Sequence, residues 1–241
     1  KTLQLAQGRD TLRNQATRKA MYLIGVCFKE IGDYRAALRQ FIRTRQLFPE
    51  TSEGMAASFL EAEIARDLGR DEEAVAGYRR VLQAVGDPKS FSNPWLSVRD
   101  LQLRMLDAYE YYLKTQNFQV ALDLAKTLHP LFPETRALEL TADVHRAWGE
   151  SLLTEAKQYG PAKAEPLLRE GRLQFREAGK IHSRLADLRV ASRKYPDQLW
   201  ESSRDYMRGQ SFAAAIGMLK EYLKDQARRR HPQALVMLGE A

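Results

Sequence analysis

The sequence predicts an all-α protein made of consecutive antiparallel helix pairs, and three observations carry that expectation. Apolar residues recur at helical spacing along most of the chain. Glycine and proline are few, 14 and 9 in 241 residues, beside abundant Ala, Leu, Arg and Glu. The pentapeptide LFPET occurs twice, as Leu47–Thr51 and as Leu131–Thr135. Punctuation of a repeated structural unit explains such a recurrence, and no catalytic chemistry does. The apolar fraction of 44% and charged fraction of 29% are those of a chain that folds around a core. No run of about 18 apolar residues is present to span a membrane.

The first unit lies just before the first LFPET. Residues Lys19–Glu30 carry Met21, Ile24, Phe28 and, just beyond, Ile31 at helical spacing, and Gly32-Asp33 then breaks the run. A second helix follows over Tyr34–Leu47 with Ala37, Leu38, Phe41 and Ile42 on one face, and Pro49 ends it. This helix–turn–helix of about 34 residues resembles a tetratricopeptide repeat. The family pattern W-x2-L-G-x2-Y, A-x3-F, P is met by Met21, Ile24, Gly25 and Phe28, then Ala37 and Phe41, then Pro49. Only the first aromatic is replaced. Small Gly25 and Ala37 let two helices approach, and Phe28 and Phe41 fill the space beside them.

Later units follow with decreasing fidelity. Residues 55–88 offer Ala62, Ala65, Gly69, Ala74 and Tyr78 before a late Pro88. Residues 102–135 offer Met105, Ala108, Tyr109, Tyr112, Phe118, Ala121 and Pro133. Residues 196–229 offer Leu199, Tyr206, Ala215 and Leu219, and a truncated repeat over 233–241 places Leu235, Leu238 and Gly239. The connector VGDPKSFSNPWLSVRD separates the second and third units. Between Ala121 and Ala215 there is room for one oversized helix pair over 134–194, read as Glu134–Lys157 and Ala164–Lys194. The second of these helices would be about 45 Å long, with Pro166 in its first turn. Turns are expected at Gly32, Gly69, Gln116 and Gln210, and stops near Pro49, Pro88, Pro133 and Pro196. The whole of 1–241 reads as one α-solenoid segment. It begins at Lys1 and ends on an uncapped apolar run, so both ends are expected to be cuts through a longer chain.

Catalytic chemistry finds little support in these residues. The histidines His129, His145, His182 and His231 have no His or Cys three or four positions away, so no metal-ligand pair sits on a helix. His145 and His182 could meet only across the long helix pair. No nucleophile elbow, phosphate loop or zinc-protease motif occurs. Cys27 is the sole cysteine, which excludes an internal disulfide, and it reads as a small buried hydrophobe. Glu61, Glu63, Glu72 and Glu73 read as solvated faces or helix-start charges. The expectation is a non-enzyme with no cofactor and no metal.

The net charge of +7 admits acidic partners without selecting one. Arg35, Arg39 and Arg43 line up at i, i+4 and i+8 on an outward face, and Arg228–Arg230 stand at an expected helix end. Both read first as solvated surface. The alternative is a patch for nucleic acid or an anionic surface, disfavoured by the lack of an aromatic-interleaved basic stripe.

The resemblance implies a right-handed superhelix whose inner groove, lined by the first helix of each pair, holds a segment of another protein. It places Tyr22, Val26, Lys29, Phe59, Glu63, Arg66, Leu106, Glu110, Trp200, Arg204 and Arg208 along that groove, with Leu113 and Met207 beside them. Tyr, Trp and Arg suit such a surface, because they dominate interface hot spots. Capture of a chaperone's C-terminal carboxylate is not expected, since Tyr22 and Val26 stand where that mode needs Lys and Asn. The function expected is a protein-binding scaffold. Nucleic-acid binding, or service as an accessory domain to an enzyme outside these residues, are the alternatives. The endings LFPE and KYPD resemble those of bacterial envelope repeats; compartment (envelope, periplasm or cytoplasm), partner and oligomeric state stay open.

Overall fold

A computed structural model describes residues 2–224 and 230–241, with side chains described from residue 13 onward. About 80% of the chain is helical, in 11 helices, with no strand among the described residues. They are α1 (Thr2–Glu30), α2 (Tyr34–Leu47), α3 (Ser52–Asp67), α4 (Asp71–Val85), α5 (Val98–Lys114), α6 (Phe118–Thr127), α7 (Glu134–Ala156), α8 (Pro161–Leu188), α9 (Tyr195–Arg208), α10 (Phe212–Lys224) and α11 (His231–Glu240). The fold is an all-α array of tetratricopeptide-like helix pairs. Its residues gather into two compact units, Lys1–Ala108 and Tyr109–Ala241.

One turn is built four times. Gly32, Gly69, Gln116 and Gln210 all take positive φ, at 82, 70, 60 and 53°. In each case the next residue's N–H closes back five positions, Asp33 to Phe28, Arg70 to Ala65, Asn117 to Tyr112 and Ser211 to Tyr206, at 2.8–2.9 Å. This is the left-handed helix stop that satisfies otherwise orphaned C-terminal carbonyls. Each turn hands the chain to an alanine, Ala37, Ala74, Ala121 or Ala215, and all four are fully buried. Backbone and packing thus repeat in the same register. Glutamine at such a φ is strained by about 1–2 kcal/mol, whereas glycine is not. Gln116→Gly and Gln210→Gly should each stabilise the protein by up to about 1 kcal/mol, read as a higher urea midpoint at constant slope. A lower midpoint for both would refute the strain.

In the first unit the core gathers Tyr22, Ala37, Leu38, Phe41, Ala56, Ala57, Leu60 and Ile64. Gly25 serves the Phe41 ring: a Cβ there would stand 2.5 Å from it. The 86–97 connector folds back over this core, seating Trp95 against Tyr22 with ring centroids 4.9 Å apart. In the second unit Gly149 makes room for Phe175, and Gly179 for Tyr206, on the long helices and on α9.

Several expectations are corrected. Ile24 and Ile31 are 46% and 74% exposed, and Cys27 is exposed, because α1 packs on α2 and α3 through Tyr22 and Gly25 and turns this other apolar face outward. Leu235 is likewise exposed on α11. α8 starts at Pro161 and stops at Leu188, so Pro166 lies inside the helix. Beyond Ala186 its apolar residues, Leu188 and Val190, have no core to enter, and the helix ends. Pro133 and Pro196 open the following helices and do not end the preceding ones. Arg228 and Arg229 lie outside the described residues; Arg230 stands at the N-cap of α11, so it does not complement the α10 C-terminus.

Candidate functional site

Three helices of the first unit enclose a hollow of about 490 Å³. α1 contributes Tyr22, Val26, Lys29 and Glu30, α3 contributes Leu60, Glu63, Arg66 and Asp67, and α5 contributes Arg104. The spacing on α1 and α3 follows from helical geometry, since residues three or four apart share a face. The Arg104 guanidinium clamps the Glu63 carboxylate with both ends, Nε donating at 2.7 Å. It also lies 4.5 Å above the centre of the Phe59 ring, which packs edge-on against Tyr78 at 5.8 Å. Arg66 donates to Asp67 at 2.8–2.9 Å.

These pairings leave a wall of balanced charge beside the Tyr22 ring, with Phe59 and Tyr78 buried beneath it. The Tyr22 hydroxyl is pushed above its ordinary range by burial, with Arg104 opposing and Glu63 assisting. Burial raises the Tyr78 phenol as well. Both stay neutral hydrogen-bonding groups. Among the described residues Lys29 makes no ion pair, so it is the cation of this wall most open to a ligand. The hollow offers recognition chemistry. It assembles no nucleophile–base set, and no group of three metal-ligating side chains gathers among the described residues.

Residues 19–51, the last part of α1 with α2 and its closing turn, match the family model described as tetratricopeptide repeat. This segment is a tetratricopeptide repeat. No curated protein matches the chain. The repeat supplies the α1 wall of the hollow, and α3, the first helix of the next pair, supplies the facing wall.

Of the residues expected in a groove, the structure brings Tyr22, Val26, Lys29, Glu63 and Arg66 into this one hollow. Phe59 is corrected: it is wholly buried beneath Arg104, where no partner can touch it. Trp200 is corrected too, because it sits in the second unit's core with Leu199, Leu219 and Tyr222, its ring capped by Arg230 at 5.4 Å. Truncating it would open a core cavity as well as remove any contact. Leu106 is half-buried and Glu110 exposed, the latter pairing with Lys114. Arg204 is exposed near Glu201, whereas Arg208 stacks 4.0 Å over Phe175 and pairs with Glu150. Glu61 and Glu63, read as solvated, are buried, because arginines from other helices cover them: Arg45 and Arg80 for Glu61, Arg104 for Glu63. Arg104 itself was not foreseen; its partner is 41 positions away and no local pattern signals it. His145 and His182 each take a glutamine, Gln174 and Gln198, at 2.7 and 2.9 Å.

Proposed function

We propose that the chain is a non-catalytic scaffold that holds a segment of another protein in the hollow of its first unit. The observation that carries this reading is the convergence of Tyr22, Val26, Lys29, Glu63 and Arg66 on one open cavity. Tetratricopeptide repeats in general mediate protein–protein interaction, which supports it. A peptide segment suits the chemistry. Tyr22 and Leu60 offer apolar contact, Lys29 and Arg66 meet carboxylates or carbonyls, and Glu63, already neutralised by Arg104, accepts without adding net charge.

A second reading has its own observation. Arg35, Arg39 and Arg43 are all exposed on α2, and none makes an ion pair among the described residues. Like charges at i, i+4 oppose the helix by about 0.2–0.5 kcal/mol per pair, and an anionic surface would relieve them. One experiment separates the two. The protein is used to capture partners from its source cells, and the captured species is titrated against Lys29→Ala/Arg66→Ala and against Arg35→Ala/Arg39→Ala/Arg43→Ala. The groove variant should weaken binding about tenfold, while the α2 variant leaves it within about twofold. The reverse ranking, with affinity falling steeply as salt rises, would establish the anionic-surface reading instead.

A further inference from the structure

A separate cavity of about 350 Å³ in the second unit lies between the α6–α7 connection, α7 and α8. Its floor is apolar, formed by Ala137, Leu138 and Ile181, and its polar lining is rich in acceptors. Glu134 and Glu177 bring carboxylates, His129 brings an imidazole beside that of His145, and Lys126 is its one lining Lys or Arg. Thr141 also lines it, and because its hydroxyl donates to the Ala137 carbonyl at 2.7 Å, its lone pairs remain for an incoming donor.

His145 completes the acceptor set, and its protonation can be traced. The Gln174 Nε2 donates to Glu170 at 2.6 Å, so the amide oxygen of Gln174 faces His145 Nδ1 at 2.7 Å. An amide oxygen only accepts, so Nδ1 carries the proton. Burial holds the ring below its usual range, which keeps it neutral. Nε2 is then a bare lone pair on a residue that lines the cavity. The two carboxylates also take surface cations, Arg184 on Glu134 and Lys180 on Glu177. Each carboxylate still has free acceptor sites, since two oxygens provide about four.

We infer that this cavity binds the side chain of an arginine presented by a partner polypeptide. Its methylene stem fits the Leu138–Ile181 floor, and its guanidinium supplies five donors to a wall that has acceptors and few donors of its own. Lysine has a shorter reach of donors and no plane to lie across the carboxylates. A carboxylate ligand would find one lining Lys or Arg, Lys126, and leave the carboxylate, hydroxyl and imidazole acceptors without a donor.

The test uses the full chain with its histidine rings labelled with nitrogen-15, titrated with N-acetylarginine amide. Before ligand is added, His145 should show the Nδ1–H tautomer at neutral pH. Addition should move its Nε2 signal along a saturable curve reaching half-maximum by about 10 mM. Glu177→Gln, which leaves the tautomer pattern intact as a check on folding, should weaken the response about tenfold. An Nε2–H tautomer, no movement of the signal, or equal binding by Glu177→Gln would each overturn the assignment. Equal or tighter binding of N-acetyllysine amide would remove arginine as the ligand, and preference for N-acetylaspartate amide would show that Lys126 governs the cavity.

Discussion

Gly54→Ala is expected to destabilise the first unit by about 3 kcal/mol or more, a large effect for one methyl group. A Cβ at this position would stand 1.9 Å from the Phe48 carbonyl oxygen and 2.9 Å from its carbon. Such a clash against a side chain can be relieved by a rotamer change, but this one is with backbone. That carbonyl is held in place twice, by the Thr51 hydroxyl at 2.8 Å and the Thr51 N–H at 3.2 Å. Thr51 in turn caps α3, accepting the Gly54 N–H at 3.1 Å. Accommodating the methyl therefore means breaking the cap as well as moving the chain. Urea denaturation of the variant should show a lower midpoint, and a loss below about 1 kcal/mol would mean the turn is plastic. Because repeats contact mainly their neighbours, the damage should concentrate in α2, α3 and α4, visible as faster amide exchange there.

The same glycine explains how far the repeated pentapeptide could be read. Both copies of LFPET precede a first helix of a pair, as repeat punctuation should, yet they build different turns. In the first, Leu47 ends α2 and Thr51 caps α3. In the second, α6 has already ended at Thr127, Leu131 is buried, and Pro133 stands at the N-cap of α7. Where the first copy is followed by Gly54, the second is followed by Leu138, whose side chain forbids the close carbonyl approach. A pentapeptide specifies the turn only together with the residue three positions beyond it.

Helix identity, the four turns and the alanine register were legible because they rest on local geometry: period, left-handed φ and small size. Burial was less so. Helical periodicity shows that α1 has an apolar face over Ile24, Phe28 and Ile31, but the face it buries is set by which helices exist beside it: Tyr22 enters the core, Phe28 packs on its edge, and Ile24 and Ile31 stay outside. Phe59 and Trp200 look like groove anchors on a helical wheel and prove to be core, since aromatic residues suit both settings. The hollow's α1 and α3 walls followed from the repeat pattern, while Arg104 came from a third helix that no spacing rule connects to Glu63.

Arg146→Met is expected to cost about 3–5 kcal/mol near pH 8, and distinctly less in mild acid. Arg146 on α7 donates through Nε to both oxygens of Asp205 at 2.7 and 2.9 Å, and through its terminal nitrogen to Glu201 at 2.7 Å. Asp205 on α9 is 2% exposed, so its carboxylate has little access to water once the guanidinium is gone. Methionine fills much of the space, but it leaves the charge unpaired. Burial already pushes the Asp205 carboxyl up to about 6 from 3.8, with Arg146 pulling it back down. A folded-state value above the unfolded one means that folding takes up a proton between those limits. The stability Asp205 contributes is then fully present below about pH 4 and is lost as pH rises through 6. Without Arg146 the folded value climbs further, so the variant goes on losing stability above pH 6 where the parent has stopped. Near pH 5 the carboxyl is largely protonated in both proteins, so the part of the penalty due to the stranded charge, about 1.4 kcal/mol per pH unit above 6, disappears, while the lost pairing of Glu201 remains. His182, whose Nε2 lies 3.8 Å from Asp205, shifts the other way because burial lowers it, and since Arg146 lowers it further the substitution eases that shift too. Urea midpoints of parent and variant at about pH 5 and about pH 8 provide the measurement. Adding Asp205→Asn to Arg146→Met should recover part of the loss at the higher pH only, since it removes the charge that the methionine strands. Equal losses at both pH values, or no recovery in the double variant, would show that Arg146 acts by packing and not as the counter-charge that lets Asp205 stay buried.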